Sequence, residues 1–308
     1  MIRPLSTLAC ICLALAASSC SLSLPGSGGP SAIIIYAATS AGVSVSLTGG
    51  SSWISQGLAS YTVKGIVAVS AGTYITEYAA TSNGIYVSTD GSTWPTNHLS
   101  GSQVNGIVVS GTYIYAATGS GLYISADSGA SWSSANPAVS LTGVFVVGFG
   151  ATATIFASAA GGPNGLYVSP DGGTTWSSYN TAGGLPSNNV YSVFDDGTNA
   201  YIGTDAGLFQ TLNTTLSSWS ISYNNTVAGF SSSNTVNGLF FYGTTIYACT
   251  GSGLSVGSGS LWTTYLSGVS VNGVSVSGTD IYASTSTGAW ISLNGGVSWT
   301  QGLAGTTV

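Results

Sequence analysis

Charge is what this 308-residue chain has least of: charged residues make up 3%, against about 25% in an ordinary globular domain. Lys and Arg together number two, Arg3 and Lys64. Nucleic-acid binding needs several cations to neutralise phosphates, so it is excluded, and attraction to anionic lipid headgroups fails for the same reason. Beyond Arg3 there is no guanidinium to clamp a carboxylate or phosphate. Histidine occurs once, as His98, and of four cysteines only Cys249 lies beyond residue 20. The body of the chain can therefore form no internal disulfide, and no metal site or cofactor is expected. Cys249 lies in the alternating run IYACT and reads as a buried, inert thiol.

Apolar residues, by contrast, reach 44% and aromatics 11%, which excludes intrinsic disorder. The 45 glycines follow no triplet period, so the chain is not collagenous.

The first residues read as an address. Arg3 precedes an apolar stretch, Leu5 to Ala17, of signal-peptide length and too short to span a bilayer. The following Ser18-Ser19-Cys20 resembles the lipobox of bacterial lipoproteins, although Ala17 stands where Leu is usual. That resemblance implies a signal peptide over 1–19 and lipid on Cys20; the alternative is an ordinary secretory signal cleaved nearby. Residues 20–31 then read as a lipid-anchored flexible tether. The expected location is outside the cytoplasm, periplasmic or cell-surface, with membrane contact through the lipid alone.

A repeat fills residues 32–308. Its markers are Trp53, Trp94, Trp132, Trp176, Trp219, Trp262 and Trp299, spaced 41, 38, 44, 43, 43 and 37 residues apart. One unit reads VNGIVVSG, TYIYAATGSG, LYISADSGA, SWSS: period-2 segments rich in β-branched and aromatic residues, bounded by turn formers. Four short strands cannot bury both faces of one sheet alone, whereas units stacked face to face in a closed ring can. The expected fold is all-β, a propeller of seven four-stranded blades. An outer-membrane β-barrel is the structural rival, and the tryptophan period argues against it. The first strand of the first unit has three possible sources. Val308, aligned with Val63 and Val104, begins one; Ser21 to Leu24 alternate and offer another; truncation of the chain is the third.

Between strands three and four the units carry a recurrent turn: SADSGASW (125–132), SPDGGTTW (169–176), STDGSTW (88–94), SLTGGSSW (46–53) and SLNGGVSW (292–299). The pattern resembles the Asp-box of BNR repeats in sialidase-like propellers. Asp90, Asp127, Asp171 and Asn294, with Gly129, Gly173, Trp94, Trp132, Trp176 and Trp299, are read as structural. A short carboxylate accepts N–H groups across the turn, Gly tolerates its backbone and Trp packs the blade. TSNGIYVSTDGSTW is also similar to propellers of the photosystem II assembly-factor type, and YIGTDAGLF to a two-component-regulator propeller blade.

Sialidases of this type use an arginine triad with Tyr, Glu and Asp. The body of this chain has no arginine and one glutamate, Glu77, so that activity is not implied. In a propeller, the two-to-three and blade-to-blade loops share one face, and the one-to-two loops share the other with the Asp-boxes. Asp195, Asp196 and Asp280 fall on the Asp-box face, leaving Asp205 on the usual binding face, together with His98. Tyr179, Tyr223 and Tyr265 each follow a repeat Trp by three or four residues. They are candidate ligand contacts, with packing on outer strands as the alternative. The expected function is a non-catalytic, lipid-anchored binding scaffold, monomeric, for a protein or glycan. The alternatives are a polysaccharide-active glycoside hydrolase using Asp205 or Asp195-Asp196, and an assembly factor for a membrane complex.

Overall fold

The structure, a computed structural model, describes residues 19–23, 33–71, 74–212, 216 and 219–308. Its strands form seven antiparallel sheets of four, each a simple meander. This is a seven-bladed β-propeller. The first strands of the blades are Ser19–Ser23, Val63–Ala71, Val104–Ser110, Leu141–Val147, Val190–Asp195, Val236–Tyr242 and Val271–Ser277. They touch their counterparts in neighbouring blades and so form the inner wall of the ring.

Small residues set the spacing between blades. The second strands carry buried alanines, among them Ala37, Ala79, Ala116, Ala157, Ala248 and Ala283, which let neighbouring sheets approach. Large side chains fill the joints. Tyr247, Cys249 and Leu254 of the sixth blade, for example, pack against Val271, Ile281 and Ala283 of the seventh. Cys249 is 1% exposed there, and burial pushes its thiol pKa up.

A bulge near the start of the first strands does a second job. In blades two to seven the register skips the strand's second residue, as between Val63 and Gly65 or Val236 and Gly238. In blades three, four, six and seven that residue reaches the next blade. Asn105 Nδ2 donates to the Leu141 carbonyl at 2.7 Å, Asn237 to Val271 at 2.9 Å, and Thr142 Oγ1 to Val190 at 2.7 Å. The repeated Val-Asn-Gly (104–106, 236–238, 271–273) is thus an inter-blade staple.

The same staple shows how the ring closes. Asn272 Nδ2 donates to the Val308 carbonyl at 3.0 Å. Ser40 N–H reaches the Thr307 carbonyl, just as Ser82 N–H reaches Thr62 and Gly119 N–H reaches Gln103. Val308 therefore occupies the first position of the first blade's inner strand. The rest of that strand is Ser19–Ser23, with Cys20 opposite Tyr36 and Ser23 opposite Ile33. Both ends of the chain contribute to one strand, so the first two sources expected from sequence combine. The strand lies at 19–23, where the sequence reading had a cleavage point and the start of a flexible tether. Its Ser-Cys-Ser-Leu-Ser alternation suits a sheet, and the inner edge of Ile33–Thr39 is open to pairing. Residues 1–18 and 24–32, with the rest of the expected signal and tether, lie outside the described residues.

Candidate functional site

The recurrent turns form closed hydrogen-bond networks. In the third blade, Ser125 Oγ accepts from Gly129 N–H and donates to Asp127 Oδ1, both at 2.8 Å. Asp127 Oδ1 also accepts from Ser131 N–H at 2.8 Å, and Oδ2 from the Ser131 hydroxyl at 2.6 Å. Asp171 repeats this with Ser169 and Thr175; Asn294 Oδ1 accepts from the Ser292 hydroxyl and Ser298 N–H in the same way, while its Nδ2 donates to the Ser298 hydroxyl. Donation by the Ser131 hydroxyl and N–H, then Ser125, lowers the Asp127 carboxyl to about 2. The Thr93 and Thr175 N–H groups lead the same effect at Asp90 and Asp171. These carboxylates hold turns.

The tryptophans do more than fill space. Trp132, Trp176 and Trp299 donate Nε1–H to Gly129, Gly173 and Gly296 carbonyls of their own turns at 3.0–3.1 Å. The fifth and sixth units, whose sequence has lost the acid, keep this bond through Trp219 to Leu216 and Trp262 to Gly259. The second blade differs. Its turn is one residue shorter, and Trp94 donates to the Gln56 carbonyl of the first blade at 2.7 Å.

His98, Tyr179, Tyr223 and Tyr265, picked from sequence as ligand contacts, occupy one repeat position. Each pairs with the residue that follows the glycine at the start of its blade's third strand: Ile85, Leu166, Leu208 and Leu254. From there the residue packs into the joint with the next blade. Tyr223 lies 4.4 Å from Trp262, Tyr265 6.1 Å from Trp299, and His98 6.1 Å from Trp132, by ring centroids; Tyr179 joins the cluster containing Trp219. Gly57 and Gly302 hold the same position where the next tryptophan, Trp94 or Trp53, comes closest. The four side chains are blade-joint packing, and burial lowers the His98 pKa against the opposing pull of Asp127.

Asp205 is exposed on the face of the two-to-three loops, as expected. Both its oxygens are engaged, by the Ser187 hydroxyl at 2.6 Å and Asn189 Nδ2 at 2.7 Å. The neighbouring hairpins on this face are tied by a motif passed over in the sequence, Thr-x-x-Gly. Thr39, Thr81, Thr118, Thr204, Thr250 and Thr285 each donate to the carbonyl of the glycine three residues on.

On the opposite face, Asp195 Oδ1 accepts from Gly197 N–H at 2.6 Å. Asp196 accepts from Thr198 and Asn199 N–H groups and from the Tyr201 hydroxyl. Burial opposes ionisation of Asp196, but these donors outweigh it and its pKa is lowered. Burial, then the Asp196 bond, pushes Tyr201 up to about 12. The strand order puts Asp205 at one end of the ring and Asp195-Asp196 at the other.

Glu77 is the carboxyl that behaves differently. It is 2% exposed, burial raises its pKa against a hydrogen bond from Tyr36, and its Oε2 has no partner. Its place opposite Ser88 matches Ile35, Ile114, Ile155 and Ile281 opposite Ser46, Ser125, Ser169 and Ser292.

Residues 90–203 match the profile of the DUF6242 β-propeller domain. No match was found among the curated proteins. Among solved structures the chain is similar to YCF48 from Cyanidioschyzon merolae, with TM-score 0.55 and 16% identity over 74% of this chain and 81% of that one. YCF48 bound to D1 peptide scores 0.55 at 14% identity, covering 74% and 77%. The extracellular domain of the hybrid two-component system BT3049 from B. thetaiotaomicron scores 0.58 at 16% identity, over 90% of this chain and 48% of that one. The chain thus spans about half the length of that domain, and at these identities the shared property is the fold.

Proposed function

We propose that the chain is an exported, non-catalytic propeller that acts as a binding scaffold, held at a membrane by lipid on Cys20. One observation carries the non-catalytic reading. Asp90, Asp127, Asp171, Asp195, Asp196 and Asp205 all accept hydrogen bonds from nearby N–H, hydroxyl or amide donors. A glycosidase needs two carboxyl groups facing one another, one with a raised pKa. The raised carboxyl here, Glu77, is buried in a blade, and Asp205 stands at the far end of the ring from Asp195-Asp196. The lipobox resemblance and the likeness to extracellular domains of B. thetaiotaomicron systems support export. A protein segment or a glycan is the ligand class this reading admits.

The test uses the full chain expressed in a bacterium. Cys20→Ala should move the protein from the membrane pellet to the soluble fraction, and unchanged pelleting removes the anchor. Incubation with a polysaccharide panel should release no reducing ends. Release that disappears in Asp205→Ala or in Asp195→Ala/Asp196→Ala would establish the hydrolase instead.

A further inference from the structure

The geometry points to the end of the ring that carries the Asp turns as a docking surface for a basic segment of a protein partner, one with lysine or arginine beside apolar side chains. This rests on the scaffold reading and adds to it a place and a chemistry.

Exposed apolar side chains are sorted between the two ends. Val147, Phe149 and Tyr242 are 42%, 65% and 47% exposed and lie at one-to-two connections. Leu47, Leu293 and Val297 are 53%, 59% and 85% exposed and lie in three-to-four turns. Ile54, Leu212 and Leu261 flank the three-to-four turns of their blades. A meander of four strands puts both kinds of connection at the same end. All the large exposed apolar side chains among the described residues therefore share it, where scattered single ones would be ordinary.

Charge is sorted the same way, Asp205 apart. Asp90, Asp127, Asp171, Asp195, Asp196 and Asp280 lie in connections at this end. Lys64, the one Lys or Arg among the described residues, is the second residue of a strand that starts at the opposite end. The lowered pKa values of the turn carboxylates keep them ionised at neutral pH. An apolar surface studded with carboxylates repels an anionic bilayer and attracts a cationic chain.

The two properties meet on the inner rim of blades four to six. Phe145 and Phe194 approach to 5.3 Å between centroids, and Phe194 stacks on Phe241 at 3.9 Å. Ser110 Oγ donates to the Gly148 carbonyl at one side, and Gly278 N–H to the Tyr242 hydroxyl at the other, so the one-to-two loops of blades three and four, and of six and seven, touch. Asp195 and Asp196 lie on the fifth blade, next in ring order to Phe149 on the fourth and Tyr242 on the sixth. Carboxylates on one connection with aromatic rings on the connections of the blades to either side suit a guanidinium or ammonium, through ion pairing and cation–π contact.

The experiment titrates the full chain with a fluorescent peptide of alternating lysine, arginine and leucine, followed by anisotropy at low salt. The controls are the same peptide with glutamate for the basic residues, and neutral phosphatidylcholine vesicles. Binding is expected for the basic peptide alone. It should weaken about tenfold or more in Phe149→Ser and in Asp195→Asn/Asp196→Asn, and fall as salt rises. Asp205→Asn should leave it unchanged. Circular dichroism of each variant confirms that the ring is intact; if either fails to fold, Tyr242→Ser takes its place in the test. No binding of the basic peptide, or binding indifferent to these variants, overturns the inference. Vesicle binding that needs Phe149 while the peptide stays silent overturns it in favour of a lipid surface. Binding lost only in Asp205→Asn overturns the docking end while leaving the scaffold reading standing. Polysaccharide turnover defeats the scaffold reading itself.

Discussion

Replacing Glu77 by isoleucine should stabilise this protein at neutral pH. Four other blades place isoleucine at the matching position, each at most 2% exposed. In the second blade the same space holds a carboxyl whose Oε2 has no partner. Isoleucine there buries an aliphatic side chain, worth about 1.5–3 kcal/mol. It also removes an unsatisfied buried acceptor, which costs about 1–3 kcal/mol. Losing the Tyr36 hydrogen bond subtracts about 1 kcal/mol. The net gain is roughly 1.5–5 kcal/mol, comparable with the about 1–4 kcal/mol gained when buried ion pairs give way to well-packed apolar residues. The pH dependence has a definite sign. Burial raises the Glu77 pKa above its ordinary value of 4.5, so between those two values the native state holds a proton that the unfolded chain has released. Stability is full below pH 4.5 and falls as pH rises through the raised value. Urea unfolding from pH 4 to 8 should show this decline in the parent, and its loss in both Glu77→Ile and Glu77→Gln. The glutamine variant keeps an acceptor for Tyr36 without titrating, so it should remove the slope with a smaller gain. A Glu77→Ile protein no more stable than the parent at pH 7, or one with the slope intact, would refute the reasoning.

Three further outcomes are expected. Asp127→Ala should lower the thermal midpoint, whereas Asp127→Asn should be tolerated, because Asn294 already builds the same turn. The Asp127 contribution should persist down to mild acid and disappear as pH falls towards about 2, which acid titration by circular dichroism reads. Gly302→Ala would put a Cβ 2.5 Å from Trp53 Nε1; it should cost about 1–3 kcal/mol and change the tryptophan emission of the joint between the seventh and first blades. Cys249 should resist iodoacetamide in the folded protein and react once unfolded, as peptide mass spectrometry would show.

Local patterning carried much of this structure. The tryptophan period, the period-2 strands and the turn sequences lead to seven four-stranded blades, because each is a short-range signal repeated in phase. The alignment of Val308 with Val63 holds in space as well, and in the Asp turns the serine and the acid of the pattern are hydrogen-bonded to each other. The candidate ligand contacts were harder to place. A tyrosine three or four residues past a tryptophan looks like a loop aromatic along the chain. Tyr223 and Tyr265 instead meet the tryptophan of the next unit, about forty residues on, which only the stacking of blades brings near. Glu77 shows the limit from the other direction. Its alignment with isoleucine was available in the repeat, but its missing partner was not, since burial belongs to the assembled joint between blades.

Local sequence sets the blade: strand lengths, hairpins, the turn that binds its own serine, and the alanines that allow close stacking. All of these depend on neighbours a few residues apart. Tertiary structure alone decided how the first blade draws its inner strand from both ends of the chain, which aromatic rings become joints, and how the exposed apolar and acidic groups gather at one end of the ring. Those outcomes need residues from different units to meet, and closing the ring is what brings them together.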